Sequence, residues 1–489
     1  MIFSLGKKYM DFAERLNYYK RVIILSLLID NPALLIATVL WIFFIPRAIT
    51  LFYRFIKNNK RFIEKDLRRI SNDPKIIFQI TTRSATKTSV VKRGIKSIID
   101  SCNKINYFKY EIFVVTEDYN DTNTLNSSLC TVACVSKKFN PNAIKKGRAL
   151  QYAVEFRRKK CQNSSDYWVF HMDDESYVVQ QTVLSLLKFI REKRGVAAEG
   201  PIFYPLKFEV ANRITALAES PRSFGCFECV THMNNPPPIH MHGSNLLVRS
   251  DIEDAIGWEF GPILAEDQRF GYEIFKRYGK HSMGWHGGIV LEQPPLNLKD
   301  HFMQRRRWII GNLQNIESFS KFFKLRLIYK CLSFFLSFIS ATISLSLAFY
   351  INIPKISNIF SYISFDWTYN IGFDFSVWFD RINNILNSSS DVFKPLTNIQ
   401  VFDSSLGLIL LFTSMIWLMS YQIGLFLNLR YAKISFVKRM FLHLQTLVLA
   451  PLIGLIESFP AFYSVIEYYF SKYVRKNNLK FLEFYVVKK

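Results

Sequence analysis

The apolar residues of this 489-residue chain come in two textures, and that distribution limits its architecture more than any other feature. Toward both ends they form long, nearly uninterrupted stretches. In the middle they shorten to strand length, separated by polar turns and helical patterns. A helix needs about 20 consecutive apolar residues to cross a bilayer core, and a chain of this length exceeds what one hydrophobic core supports. The expected organisation is a membrane anchor and basic linker over 1–73, a cytosolic domain over 74–299, interfacial helices over 300–325 and a membrane region over 326–489.

The first long stretch, 22–46, carries Asp30 and Asn31-Pro32 near its start and reads as one tilted span, with two re-entrant limbs broken at Asn31-Pro32 as the alternative. It lacks a small-residue cleavage signal and runs into basic residues, as an uncleaved anchor does. Beyond Arg326 the stretches 327–353, 406–427 and 440–456 each read as membrane-embedded, and 459–470 is too short to assign as a span. Lys and Arg gather on the cytosolic side of a membrane. The loop 354–403 holds only Lys355, Arg381 and Lys394 against Asp366, Asp374, Asp380, Asp391 and Asp403, whereas the connection after Leu427 carries Arg430, Lys433, Lys438 and Arg439. This asymmetry makes the chain an integral membrane protein with 74–299 inside and 354–403 outside. Much of the net charge of +24 flanks apolar stretches, at 47–69 and 430–439. That placement suits anionic headgroups of membrane lipids. No zinc-finger spacing or helix-turn-helix signal supports a nucleic-acid partner.

Between the apolar ends, strands are expected at 76–81, 110–116, 131–136 and 167–171, and helices at 89–102, 143–159 and 179–191. Strands alternating with helices imply an α/β domain with a mostly parallel central sheet covered on both faces. Ligands of such sheets sit beyond the carboxyl ends of the strands.

The run His171-Met172-Asp173-Asp174-Glu175-Ser176 falls at such an end. Three adjacent carboxylates repel one another unless a cation neutralises them, and Mg2+ or Mn2+ is held by one or two carboxylates together with phosphates. Asp173 and Glu175, one residue apart, can face one site as metal ligands while Asp174 points elsewhere; a solvated acidic turn is the plain alternative. Glu266-Asp267 opens a helical pattern reaching Tyr278. Both carboxylates suit a helix start, and either could serve as a general base, Asp267 first and Glu266 as fallback. In Gln304-Arg305-Arg306-Arg307-Trp308, within a helix expected over 298–313, Arg307 can reach a diphosphate and Arg305 or Arg306 lipid headgroups. A purely membrane-binding patch is the competing account. His242, Gly243 and Ser244 lie in a polar loop able to close over a ligand, and Trp285 offers an aromatic face that either stacks on a sugar ring or packs in the core. Arg83 follows the first strand, where it can meet nucleotide phosphates; Glu117 and Asp118 follow the second, placed for a base or ribose. The seven Cys are odd in number and scattered, which argues against a disulfide framework. Cys226 and Cys229 form a lone CxxC with His232 nearby; ordinary reduced cysteines are the main reading, with half of a metal site or a redox pair as alternatives.

These residues resemble the family-two inverting glycosyltransferases with a nucleotide-diphospho-sugar-binding fold, in the membrane-embedded branch that includes cellulose, chitin and hyaluronan synthases. Within that branch the chain is most similar to the Egghead-like beta-1,4-mannosyltransferases, which extend a glucosylated glycolipid using GDP-mannose. The resemblance covers about 74–315. The family's D-x-D-type motif matches Asp173-Asp174-Glu175, its (T/E)-D motif matches Glu266-Asp267, and its Q-x-x-R-W motif matches Gln304, Arg307 and Trp308. An early donor-site carboxylate matches Glu117 or Asp118. The resemblance implies a metal-dependent, inverting hexose transfer with Asp267 as base, the donor diphosphate held near Arg307, and Trp308 beside the acceptor opening. Fewer embedded segments follow Trp308 than a polymer-translocating channel has, so a lipid-linked or glycolipid acceptor receiving one or a few sugars is the expected substrate. A processive polysaccharide synthase using a UDP-sugar and a non-catalytic nucleotide-binding scaffold are the alternatives.

Overall fold

The computed structural model describes residues 32–65, 67–68, 73–83, 88–160, 167–235, 238, 240–339, 342 and 405–474, with side chains in the first helix from Phe44 and in the helix at 405–430 from Met415. The loop 354–403, the start of the first apolar stretch and, within 327–353, residues 340–341 and 343–353 lie outside the described residues. The chain divides into two compact units, one of 1–48 with 336–416 and one of 49–335 with 417–489. The described part of the first unit is helical, at 32–48, 336–339 and 405–416.

The second unit is built on a seven-stranded sheet of order β3-β2-β1-β4-β8-β6-β9. Its strands are β1 (Lys75–Thr81), β2 (Tyr110–Thr116), β3 (Cys130–Cys134), β4 (Tyr167–Asp173), β6 (Ala197–Glu199), β8 (Leu246–Arg249) and β9 (Met283–Trp285). The pairs β1–β2, β2–β3, β1–β4 and β6–β9 are parallel, and β8 runs antiparallel to β4 and β6. The mostly parallel sheet is the one expected. Central strands of such sheets are apolar on both faces, and the alternating residues of β1 and β4 separate into two cores. Ile77 and Val169 pack with Val115, Ala149 and Phe270, while Ile76, Phe78 and Phe170 pack with Val91, Leu186 and Leu187. A small second sheet, β5 (Tyr177–Val178), β10 (Val290–Leu291) and β7 (Ile202–Phe203), lies in the order β5-β10-β7.

Helices α2 (Thr88–Lys104), α4 (Lys145–Lys160) and α5 (Gln180–Arg191) make the expected crossovers, and α3 (Asn120–Leu125) is a short addition. Beyond them come α6 (Arg213–Ala218), α7 (Ser220–Asn234), α8 (Ser250–Ile256), α9 (Glu266–Tyr278) and α10 (Leu298–Asn315). A helix over 321–339, α11, precedes α12 (Ser405–Arg430) and α13 (Phe436–Tyr469).

Two expectations about the apolar ends are corrected. The stretches 440–456 and 459–470 belong to one helix, α13, which continues through Pro451 and Pro460. With its extension to Val474 it is the one helix among the described residues long and apolar enough to cross a membrane, at a mean hydropathy of 1.6. The first helix, α1 (Pro32–Asn58), runs through Pro46 into the basic segment. That segment is therefore no linker, because its helical end is anchored on α7. Arg54 Nη1 donates to Glu228 Oε1 at 2.5 Å, and Asn58 Nδ2 donates to Thr231 Oγ1 at 2.7 Å and to the Phe227 carbonyl at 3.1 Å.

α10 crosses the segment leading into α9 with no room for a side chain at Gly311. A Cβ there would lie 2.7 Å from Ala265 Cβ and 2.8 Å from Ala265 N. Gly311→Ala is expected to cost about 1–3 kcal/mol, the usual penalty of overpacking, because backbone must move. Thermal unfolding of the purified variant checks this; an unchanged midpoint would refute the close crossing.

Candidate active site

β4 places Asp173 at its carboxyl end, in register with Thr81 at the end of β1. Beneath it is a buried polar network. Glu253, on α8 and 0% exposed, accepts from Arg157 Nη2 at 2.5 Å and from Trp258 Nε1 at 2.7 Å, and lies 3.1 Å from His171 Nε2. Arg157 also donates to Gln79 Oε1 on β1. Burial alone would raise the Glu253 carboxyl, but the Arg157 guanidinium and the His171 ring outweigh it and hold the group at about 2. The Trp258 ring stacks on Phe270 of α9 at 4.1 Å. His171 of β4, two residues before Asp173, and the helix carrying Asp267 are thus tied to one rigid core.

Asp173 meets a cation that lies in none of the motifs read from the sequence. Lys146 Nζ donates to Asp173 Oδ1 at 2.5 Å and to the Gly243 carbonyl at 3.0 Å. Gly243 stands between the two acidic motifs: a Cβ on it would lie 2.8 Å from Lys146 Nζ and 3.0 Å from Asp267 Oδ2. Asp267 Oδ1 accepts from the Gln268 backbone N–H at 2.7 Å, and Asn315 of α10 secures the entry to α9 by donating to the Ala265 carbonyl at 2.9 Å. The structure therefore brings Asp173, Asp267, Gly243 and Lys146 into one cluster, with the charges of Glu266 and Arg307 acting on it.

Burial, and next the neighbouring Asp267, push Glu266 up to about 7, opposed by Lys146 and Arg307. Asp267 is raised as well, chiefly by burial and further by Asp173, against the same two cations. For Lys146 burial works toward the neutral amine, but Asp173, Glu266 and Asp267 overcome it and raise the group. The centre holds a protonated Lys146 against three acids, two of which resist losing their protons. It can accept a proton, and it can exchange the ammonium on Asp173 for another cation. A magnesium-class ion fits here, since it needs only one or two protein carboxylates beside phosphate and water oxygens.

The other expected residues divide. Asp174 is buried and accepts from Thr82 Oγ1 at 3.3 Å. Glu175 is buried, its charge acts on Arg93, and its carbonyl accepts from Arg93 Nη2 at 3.4 Å. Glu117, just past β2, takes Arg148 Nη1 at 3.0 Å and Arg83 Nε at 3.6 Å, while Asp118 accepts from the Asn120 backbone N–H at 3.0 Å. Ser244 joins Glu292 at 2.7 Å and Ser176 at 2.9 Å in the interior. Trp285 does not face the cluster: only 4% exposed, its ring stacks on Phe62 and its Nε1 donates to the Phe62 carbonyl at 2.9 Å. The sugar-stacking expectation for Trp285 is thereby replaced by core packing.

The headgroup expectation for Arg305 and Arg306 is corrected too. Arg305 is buried between Glu219, at 2.8 Å, and Glu457 of α13, at 2.9 Å; Arg306 pairs with Glu467 of α13 at 2.6 Å. Gln304 Oε1 accepts from Arg305 Nη1 at 2.7 Å. The Trp308 ring lies 4.4 Å from the guanidinium carbon of Arg222 and 4.6 Å from that of Arg305, so it is gripped by protein cations. His232 pairs with Glu228 at 3.3 Å, and the imidazole that reaches the CxxC thiols is that of His242.

Sequence reasoning missed Lys146, Glu219 and Arg222. A signal existed for Lys146. Lys145 and Lys146 open α4, where the helix dipole disfavours cations, so a partner nearby was implied.

The chain is similar to several known proteins. Residues 168–379 match glycosyl transferase family group 2. Beta-1,4-mannosyltransferase egh of Drosophila melanogaster is 25% identical over 250 residues, 50% of this chain and 53% of the relative. Beta-1,4-mannosyltransferase bre-3 of Caenorhabditis elegans is 25% identical over 178 residues, 35% of this chain and 38% of the relative. The chain thus spans about half, or less, of the length of the curated relatives it matches. The solved mannosyltransferase PcManGT from Pyrobaculum calidifontis, in complex with GDP-Man and Mn2+, aligns over 78% of this chain and 98% of its own with a TM-score of 0.41 and 12% identity.

Proposed function

From the premise that this chain carries a family-two glycosyltransferase domain, we propose that it transfers a hexose, mannose from GDP-mannose, with inversion onto a lipid-linked or glycolipid acceptor at a membrane. The observation that carries the reading is Asp267 set across Gly243 from the Lys146–Asp173 pair, at the carboxyl end of the central strand. Relatives named as beta-1,4-mannosyltransferases support the choice of sugar. The long apolar helix α13, bound to α10 through Glu457 and Glu467, supports a membrane location, and the basic residues flanking the apolar stretches favour a cytosolic sheet domain.

In this mechanism Asp267 removes the proton of the acceptor hydroxyl as its oxygen attacks the anomeric carbon from behind. The bond from that carbon to the diphosphate breaks, and the negative charge leaves with the nucleotide. Asp173 and Glu175 would hold Mg2+ or Mn2+, which supplies charge neutralisation of the departing diphosphate. Lys146 gives up Asp173 when the donor arrives and, with Arg307, faces phosphate oxygens. Arg83, Glu117, Asp118 and Asp174 border the nucleotide, and Gln304 keeps the arginine helix in position. Trp308, held between Arg222 and Arg305, together with the loop of His242, Gly243 and Ser244, shapes the acceptor side.

The test is a panel of GDP- and UDP-sugars offered to the full chain in lipid, with and without a chelator, products being weighed by mass spectrometry. The expected result is divalent-dependent use of GDP-mannose and an acceptor heavier by one hexose. Long polymer from a UDP-sugar would make the chain a processive synthase. Absence of transfer or hydrolysis with every donor would leave a nucleotide-binding scaffold.

A further inference from the structure

Cys226 and Cys229 sit one turn apart on α7, each 4% exposed, in the core that also holds Trp258 and Phe270. His242 reaches them from the loop before β8. One ligand atom from each of the three residues lies within 4.8 Å of the other two, and Cys229 Sγ is 3.6 Å from His242 Nε2. Nothing in the mechanism above uses the thiols.

The surroundings bear on why these groups gather. Glu199, at the end of β6 and 0% exposed, accepts from the His242 backbone N–H through Oε1. Its Oε2 is buried and meets no hydrogen-bond donor among the described residues, and His242 Nδ1 is likewise buried without a partner. A buried acid with an unmet oxygen is costly, and a nearby cation would relieve that cost. Imidazole binds metal through a ring nitrogen, and Nε2 of His242 is the one that meets the thiol of Cys229. Two thiols and an imidazole are three of the four ligands of a tetrahedral Cys2His-type site, and thiolate softness selects zinc-class ions over magnesium.

We propose that Cys226, Cys229 and His242 form a binding site for one zinc-class divalent cation, separate from the carboxylate centre, with water in the fourth position. Binding releases the two thiol protons, and the dication with two thiolates is neutral, which suits a buried site. The ion pins the loop of His242 to α7. The next residue, Gly243, holds Lys146 through its carbonyl and abuts Asp267, so the ion steadies the wall between the two acidic motifs. The site's existence does not depend on the sugar-transfer reading.

Metal analysis of the full chain, purified in detergent and dialysed against EDTA long enough to strip magnesium and manganese, tests the proposal. One retained zinc per chain is expected, lost in Cys226→Ser/Cys229→Ser and kept in the control Cys331→Ser. Cobalt loading of the unmodified protein after forced zinc removal is a second measurement that needs no variant to fold: a thiolate-to-cobalt charge-transfer band is expected, weakened in His242→Asn. Zinc far below one per chain with no cobalt band overturns the proposal. So does zinc retained by the double serine variant, or a Cys226–Cys229 disulfide recovered from the purified protein by peptide mass.

Discussion

Asp267→Asn is expected to lower sugar transfer by about 10²–10⁴-fold, the range over which a general base contributes, while donor binding stays within about twofold of the parent. The substitution keeps the shape of the side chain and the acceptor for the Gln268 N–H, but removes the basic oxygen that faces Gly243 and Lys146. Initial rates with GDP-mannose and calorimetric donor titration separate the two effects. Glu266→Gln is the companion variant. Glu266 shares the proton-retaining environment of the pair, yet it is Asp267 that abuts Gly243, so Glu266→Gln should keep most of the activity. If the larger loss fell on Glu266→Gln, the base would have to be reassigned; full activity of Asp267→Asn would remove it from the chemistry.

The second large effect is on stability. Glu253→Gln leaves Arg157, 3% exposed at its side chain, without its counter-charge in the interior. Breaking a buried pair by removing one partner costs about 3–5 kcal/mol, and equilibrium or thermal unfolding should register a loss of that size. Acid tests the same pair without mutation. Because the folded Glu253 carboxyl is held at about 2, below the unfolded value of about 4.3, its contribution is fully present above the unfolded value. It is lost as pH falls through that interval toward 2, and amounts to on the order of 3 kcal/mol. In Glu253→Gln this part of the acid sensitivity should vanish. A variant as stable as the parent, with the same acid profile, would show that the network carries no net stabilisation. The consequence reaches the site, since the network joins the β4 strand of Asp173 to the α9 helix of Asp267.

Much of the fold was legible because its signals are local. The apolar runs that became β1, β2 and β4 match the strands within one or two residues, and the helices between them follow their apolar periodicity. The failures share a different cause. In sequence Trp285 stays open between sugar stacking and core packing, and Arg305 reads as able to meet lipid headgroups. Phe62, Glu219 and Glu457, residues far away along the chain, bury them. The apparent break between 456 and 459 reflects Glu457, Ser458 and Pro460 in composition only; α13 carries on through them as one helix.

The sequence by itself determined the alternating α/β domain, the places where carboxylates end a strand and open a helix, and the presence of long apolar segments. Periodicity and side-chain chemistry act over a few residues and need no partner to be read. Tertiary structure alone decided that Lys146 bridges to Asp173, that Gly243 separates that pair from Asp267, and that His242 rather than His232 meets the two thiols. Those outcomes depend on which distant groups share one low-dielectric space, where charges must be matched, and chain order does not encode that adjacency.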